Sequence, residues 1–187
     1  MVGCICNSPN LKRLKELKDE MDICEVYCET GTLYGGSMIL QMASSTPCHF
    51  IGIDLFTGYY GNSYDPHRKI DLTNHLDIVK NNIQLNNPHN HTYHLIKGDS
   101  KNIEISNLVT KLIDYLFIDG DHSEEGVLGD FISYKDKVRK GGLIVFDNYN
   151  DPSWKEVKPT VDNICENYSE DFKIKEVFGH CLVLEKC

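Results

Sequence analysis

The sequence predicts an α/β protein built on an open, largely parallel sheet, and three observations carry that prediction. The first is Leu112-Ile113-Asp114-Tyr115-Leu116-Phe117-Ile118, an apolar run that reads as a strand buried on both faces. The second is the helical stretch Glu124–Lys140, followed by the turn Gly141-Gly142 and a further apolar run, Leu143-Ile144-Val145-Phe146. Strand, helix and strand in that order form a right-handed crossover, so the two strands run parallel and end at one edge of the sheet. The third is what stands at those ends: Asp119-Gly120-Asp121-His122 after one run and Asp147-Asn148 after the other. Ligands of open α/β sheets bind at that edge. Asp119, Asp147 and Asn148 are therefore expected to converge there, although they are far apart in the chain.

The bulk properties bound the answer. The 187 residues are enough for one domain with a sizeable core, and residues 1–187 read as one, with 1–21 supplying a covering helix. The formal charge is −9, from 28 acidic and 19 basic residues, which argues against nucleic acid and other polyanionic partners. No apolar run approaches the length of about 18 residues that a membrane span needs. The opening Met1-Val2-Gly3-Cys4-Ile5-Cys6 is too short for a signal-peptide core, so a cytoplasmic location is expected. The eight cysteines show neither a CxxC pair nor zinc-type spacing, and read as small buried apolar side chains in a reducing compartment.

In chain order, Leu11, Leu14 and Leu17 recur at spacing three and predict an amphipathic helix over Pro9–Met21. Ile23–Glu29 reads as a strand and runs into Glu29-Thr30-Gly31-Thr32-Leu33-Tyr34-Gly35-Gly36-Ser37, with a helix from Ser37 to Ser44. Strand, glycine-rich turn and helix form a nucleotide-type binding element. In a dinucleotide fold a pyrophosphate lies at that helix N-terminus. The carboxylate of Glu29 would repel it and would suit a ligand with a cationic amine. That favours S-adenosylmethionine, which carries an ammonium and a sulfonium and no phosphate.

His49–Asp54 reads as the second strand, with Asp54 placed to accept from both hydroxyls of a ribose. The aromatic, glycine-rich stretch Leu55–Lys69 is too long for a simple connection and reads as a lid. Leu72, Leu76, Val79 and Ile83 predict a covering helix over Leu72–Leu85, and Asn86-Asn87-Pro88 stops it. His89, His91 and His94 lie close in sequence, but strand alternation puts His91 and His94 on opposite faces, which speaks against a metal cluster. The strand Thr92–Lys97 ends in Gly98-Asp99-Ser100, where a carboxylate or hydroxyl can take an adenine amino group. After the central unit, Trp154 either walls a substrate pocket or packs. Val157–Asn167 reads as a helix, and Phe172–Phe178 with His180–Lys186 as an edge hairpin turning at Gly179.

With these residues in place the chain resembles the class I S-adenosylmethionine-dependent methyltransferases. The similarity runs from about Ile23 to Lys186. It is strongest in the Glu29–Ser37 turn, in Phe117-Ile118-Asp119-Gly120-Asp121-His122-Ser123, and in Gly142-Leu143-Ile144-Val145-Phe146-Asp147-Asn148-Tyr149. Together these resemble a compact subgroup holding the macrocin-type sugar O-methyltransferases and the cephalosporin hydroxylase-like proteins. The metal-dependent catechol and caffeoyl-CoA O-methyltransferases are more distant relatives. The resemblance implies a Rossmann-like, doubly wound, seven-stranded sheet in the order 3-2-1-4-5-7-6, with strand 7 antiparallel. It implies that Glu29, Gly31, Thr32, Gly35, Gly36 and Ser37 serve the methionine end of the cofactor, that Asp54 holds the ribose, and that Asp99 and Ser100 lie near the adenine. Asp119 and His122 also border the cofactor.

In the metal-dependent families a divalent ion sits on an acid after strand 4 and an Asp-Asp or Asp-Asn pair after strand 5, here Asp119, Asp147 and Asn148. These are hard oxygen donors, suited to Mg²⁺, Mn²⁺ or Ca²⁺. The catalytic base is Asp121 by similarity to the sugar-type enzymes, or His122 by its place in the catechol-type pattern. The expected activity is O-methylation of a sugar or other small-molecule hydroxyl, with a homodimer completing the acceptor pocket. The alternatives are a metal-independent methyltransferase, an NAD-type oxidoreductase, and a non-catalytic cofactor-binding protein on the same fold.

Overall fold

The computed structural model describes residues 9–57 and 74–187. In chain order these form α1 (Pro9–Asp19), β1 (Val26–Thr30), α2 (Gly36–Met42), β2 (His49–Asp54), α3 (His75–Leu85), β3 (Thr92–Lys97), α4 (Ile103–Ser106) and β4 (Ile113–Ile118). There follow α5 (Glu124–Tyr134), a 3₁₀ turn (Lys135–Lys137), β5 (Val138–Phe146), α6 (Val157–Asn167), β6 (Phe172–Phe178) and β7 (Cys181–Lys186). The strands make a seven-stranded sheet in the order β3-β2-β1-β4-β5-β7-β6. β1 to β5 pair in parallel, and β7 runs antiparallel to both β5 and β6. The predicted fold class and strand order are those found.

Alternation along the strands divides the core into two layers. Val26 and Cys28 of β1, Leu116 and Ile118 of β4, and Ile144 and Phe146 of β5 pack with Val127, Phe131 and Tyr134 of α5 and with Val161 and Ile164 of α6. The intervening Tyr27, Tyr115, Phe117, Leu143 and Val145 pack on the opposite face with α1, α2 and α3, through Leu14, Leu17, Met38, Met42, Val79 and Ile83. Each such side chain, moved out of water, contributes about 1.5–3 kcal/mol. Every residue of β4 is buried, as its unbroken apolar run requires. The edge strand β3 is instead mostly exposed.

The structure corrects several boundaries. The helix expected to reach Lys140 ends at Tyr134, because Lys135-Asp136-Lys137 continues no apolar stripe and forms a 3₁₀ turn. Gly141-Gly142 is not a turn between helix and strand but lies within β5. There Gly141 takes a left-handed φ of 72° and the register against β4 shifts between Ile113 and Tyr115. β1 begins at Val26 rather than Ile23, because the N–H groups of Glu25 and Val26 donate to the buried carboxylate of Asp114, at 2.9 and 2.8 Å. The short helix α4 had no apolar periodicity to announce it. The lid expected over Leu55–Lys69 lies outside the described residues from Gly58 onward, as do Cys4, Cys6 and Leu72 of the predicted helical stripe. The described cysteines are free thiols, and Cys24, Cys28, Cys48 and Cys181 are buried. Among the described residues no helix is long and apolar enough to cross a membrane.

Candidate active site

The site is built where the parallel strands stop. The ladder continues one residue past each strand: Gly31 N–H donates to the Ile53 carbonyl at 2.8 Å, Asp119 N–H to Thr30 at 3.0 Å, and Asp147 N–H to Ile118 at 3.0 Å. These bonds hold the ends of β1, β2, β4 and β5 in one rim. Gly31 has a φ of 83°, and a Cβ there would lie 2.0 Å from the carbonyl oxygen of Asp119. The β1 turn and the Asp119-Gly120 turn can approach this closely only because residue 31 has no side chain.

Between these turns and the loop after β3 lies a cavity of about 300 Å³. Among the described residues its wall carries Asp54, Asp99, Asp119, Asp121 and Asp130 against a single amine, that of Lys101. Asp54 is fixed by two backbone donors, Leu33 N–H to Oδ2 at 2.8 Å and Phe56 N–H to Oδ1 at 2.7 Å. Leu33 and Phe56 both adopt positive φ, 45° and 46°, to supply them. Burial raises the Asp54 carboxyl above its ordinary value, and the two N–H groups oppose the rise. Asp121 is oriented by Ser123, whose N–H donates to Oδ1 and whose hydroxyl donates to Oδ2, both at 3.0 Å. Its side chain remains 40% exposed.

Beside the cavity, Asp119 and Asp147 end neighbouring parallel strands and interact directly. Burial first, then the charge of Asp147, push the Asp119 carboxyl up to about 7, while a bond from His122 pulls it down. His122 Nε2 lies 3.4 Å from Asp119 Oδ1 and 2.6 Å from Asn148 Oδ1. Burial lowers the His122 pKa, but the bond and charge of Asp119, with help from Asn148 and Asp147, outweigh it and leave the imidazole raised. Its ring stacks on Trp154, with centroids 4.3 Å apart and planes 20° apart. The Cys181 thiol donates to Asp147 Oδ1 at 3.2 Å. Asn148 sits at φ 58°, a left-handed conformation that asparagine tolerates better than most residues.

The donor set suits a hard cation. Two facing carboxylates repel each other in a poorly solvated site, and a cation between them removes that repulsion. The amide oxygen of Asn148 supplies a third oxygen of the same hardness. Among the described residues no three His, Cys, Asp or Glu side chains gather as a metal centre, so the candidate set depends on that amide. His91, from the predicted histidine group, instead pairs through Nε2 with the carbonyl of Ser44 at 2.8 Å.

Of the residues singled out from the sequence, Gly31, Asp54, Asp99, Ser100, Asp119 and Asp121 line the cavity. Asp147, Asn148 and His122 gather at its Asp119 side. Glu29, Thr32, Gly35, Gly36 and Ser37 do not line it. Glu29 is fully buried beneath the turn, where Oε2 accepts from Tyr27 at 2.8 Å and from Ser37 at 2.7 Å. It ties β1 to the start of α2. Sequence reasoning missed Asp130 and Lys101. Asp130 lies in the middle of α5, and neither residue sits at a strand end, the signal that found the other acids.

A sequence profile of the methyltransferase domain matches residues 28–149, which span the turn after β1 through the Asp147-Asn148 pair. An uncharacterized protein of Acanthamoeba polyphaga mimivirus is 35% identical over 142 residues, covering 74% of this chain and 58% of that protein, so the chain spans little more than half of that relative. Three solved structures share the fold. The O-methyltransferase NovP has a TM-score of 0.73 at 17% identity, over 95% of this chain and 79% of that one. A TDP-rhamnose 3'-O-methyltransferase of calicheamicin biosynthesis has a TM-score of 0.65 at 14% identity, over 94% and 78%. The mycinamycin-pathway methyltransferase MycE, solved with Mg and S-adenosylhomocysteine, has a TM-score of 0.58 at 17% identity, over 95% and 48%. Strand order, the glycine turn after β1 and the profile match agree: the chain belongs to the methyltransferase domain family, on the class I fold.

Proposed function

We propose that the chain is an S-adenosylmethionine-dependent O-methyltransferase that acts on a small-molecule hydroxyl, a sugar hydroxyl being favoured, with help from a divalent cation. The observation that carries this reading is the lining of the cavity, which among the described residues sets five carboxylates against one amine. A dinucleotide would bring its pyrophosphate against those acids. S-adenosylmethionine carries no phosphate: its ammonium and sulfonium outweigh its single carboxylate, and its ribose hydroxyls and adenine amine can donate to acids. Asp54, locked by two N–H donors, retains lone pairs for a ribose diol.

When bound, the cofactor supplies an electrophilic methyl group and the cation, held by Asp119, Asp147 and Asn148, lowers the pKa of an acceptor hydroxyl. The protein's own part is to place these groups and to move one proton. Asp121 is the proposed base, since its carboxylate lies on the cavity wall in an orientation fixed by Ser123. His122 fixes the amide of Asn148 and faces Asp119. The preference for a sugar rests on the sequence resemblance and on a fold neighbour that is a TDP-rhamnose 3'-O-methyltransferase. The cation is supported by the facing carboxylates and by the Mg-bound neighbour.

A metal-independent reading has one observation in its favour: His122 already bonds Asn148 Oδ1 and faces Asp119, which gives the acids a protein partner. Activity that persists in EDTA would select it.

The decisive experiment is calorimetric titration of S-adenosylhomocysteine into wild type and Asp147→Ala, with and without Mg²⁺. Wild type is expected to bind it, and Asp147→Ala to keep nucleoside binding while losing Mg²⁺ binding. Absence of nucleoside binding to wild type in both conditions would sink the proposal.

A further inference from the structure

The loop after β3 meets α5 at a contact that the chemistry above does not use. Ser100 Oγ lies 2.6 Å from Oδ1 of Asp130, and Asp130 is 1% exposed. Both residues line the cavity. The loop has little freedom there, because the Tyr134 hydroxyl holds the Ser100 carbonyl at 3.0 Å and Gly129 brings α5 against the Lys101 side chain. A carboxylate can only accept, so the Ser100 proton points to Asp130. A serine hydroxyl has one proton. With that proton committed, Ser100 offers the cavity only lone pairs.

We propose that Asp130 is a positioning residue that fixes the Ser100 hydroxyl as an acceptor, so that this subsite selects a ligand amine and rejects a carbonyl at the same place. This rests on the nucleoside reading of the cavity. In that reading the group selected is the 6-amino group of the purine, and the group rejected is the 6-oxo group of the inosine analogue. The geometry supports the assignment beyond the hydrogen bond itself. A Cβ on Gly120 would come within 3.1 Å of Asp130 Oδ2, so the second carboxylate oxygen lies directly under the Asp119-Gly120 turn. Asp99, next to Ser100, also presents acceptors: its Oδ1 takes the N–H of Lys101 at 3.0 Å. An oxo group at this end of the cavity would face the acceptor oxygens of Ser100 and Asp99, while the Lys101 amine on the same wall is directed to Glu125 at 3.3 Å and Asp121 at 3.8 Å. Burial holds the Asp130 carboxyl up at about 6, opposed by the Ser100 bond, so above neutral pH the carboxylate form is available to accept.

The test is a comparison of two ligands, S-adenosylhomocysteine and S-inosylhomocysteine, titrated at pH 8 into wild type, Asp130→Asn and Ser100→Ala. Wild type is expected to prefer the amino compound by roughly ten- to a hundredfold, the discrimination available when a mismatched polar pair meets inside a binding site. Asn at position 130 can donate to Ser100, which frees the serine proton for the ligand, so the preference is expected to fall to a few-fold or less. Ser100→Ala removes the hydroxyl acceptor while leaving Asp130 in place, and is expected to reduce the preference to what Asp99 contributes. A purely structural role for Asp130 would weaken both ligands equally and leave their ratio unchanged, which would overturn the proposal, as would equal binding of both ligands to wild type. Should Asp130→Asn fail to fold, an undiminished ratio in Ser100→Ala overturns it. Binding of neither ligand to wild type overturns the nucleoside reading and this inference with it.

Discussion

Glu29 shows what a single buried acid does to this protein. Its side chain has no exposure, and burial, aggravated by the charge of Asp119, pushes its carboxyl up to about 8 against the two donors Tyr27 and Ser37. In the unfolded chain the same group ionises near the ordinary glutamate value. Between those two values the folded state binds the extra proton, so stability falls as pH rises through the interval and the loss is complete above about 8. Asp119 and Asp130, raised to about 7 and about 6, shift stability in the same direction over the lower part of that range. The metal-free protein is therefore expected to melt several degrees higher at pH 6 than at pH 8, at about 2–4 °C per kcal/mol for a chain of this size. Glu29→Gln keeps an acceptor for Tyr27 and Ser37 and removes the ionisation. Calorimetric melting in EDTA is expected to show a smaller pH 6 to pH 8 difference in this variant than in wild type. An unchanged difference would place the titrating charge elsewhere.

At the scale of elements, the legible features were those written as periodicity and position. The strand order followed from the family resemblance, and the alternation of Tyr27, Tyr115 and Phe117 against Cys28, Leu116 and Ile118 follows from the apolar runs. The acids of the rim were found because parallel strands deliver their last residues to one edge. The same alternation explains why Glu29 left that edge: it stands two residues after Tyr27, shares its face, and points under α2. Asp130 was not legible because a helix interior gives no cue that a carboxylate faces a cavity. The start of β1 was misplaced because its partner there is a side chain. Asp114, 4% exposed, accepts from the N–H groups of Glu25 and Val26 at the start of β1 and is paired with Arg139 of β5. It joins β1, β4 and β5 at the end opposite the cavity. Asp114→Ala leaves two N–H donors without an acceptor and takes the carboxylate from the Arg139 guanidinium, which keeps only the Ile23 and Lys140 carbonyls, and is expected to cost about 3–5 kcal/mol. Chemical denaturation checks the loss. Nucleoside affinity measured under native conditions is expected to stay within a few-fold of wild type, which separates this anchor from the ligand edge.

At the scale of the whole molecule, the acids at the rim and the overall charge of −9 act together. Any cation lowers the self-repulsion of such a chain, so a rise in melting temperature with added Mg²⁺ does not by itself reveal a site. Screening depends on ionic strength, whereas occupancy of a site depends on the ion and saturates. The distinguishing comparison is Mg²⁺ against NaCl at matched ionic strength, in wild type and in Asp147→Ala. A site of the kind proposed stabilises wild type by about 2.7 kcal/mol when Mg²⁺ is a hundredfold above its dissociation constant, or roughly 5–10 °C. Asp147→Ala removes one of the two facing carboxylates, so Asp119 loses its nearest repulsion. The variant is therefore expected to melt no lower than wild type without metal, apart from the lost bond from Cys181, while responding to Mg²⁺ only as it responds to NaCl. Equal responses of wild type to both salts would leave the facing carboxylates to His122, and the proposed methyl transfer without a metal.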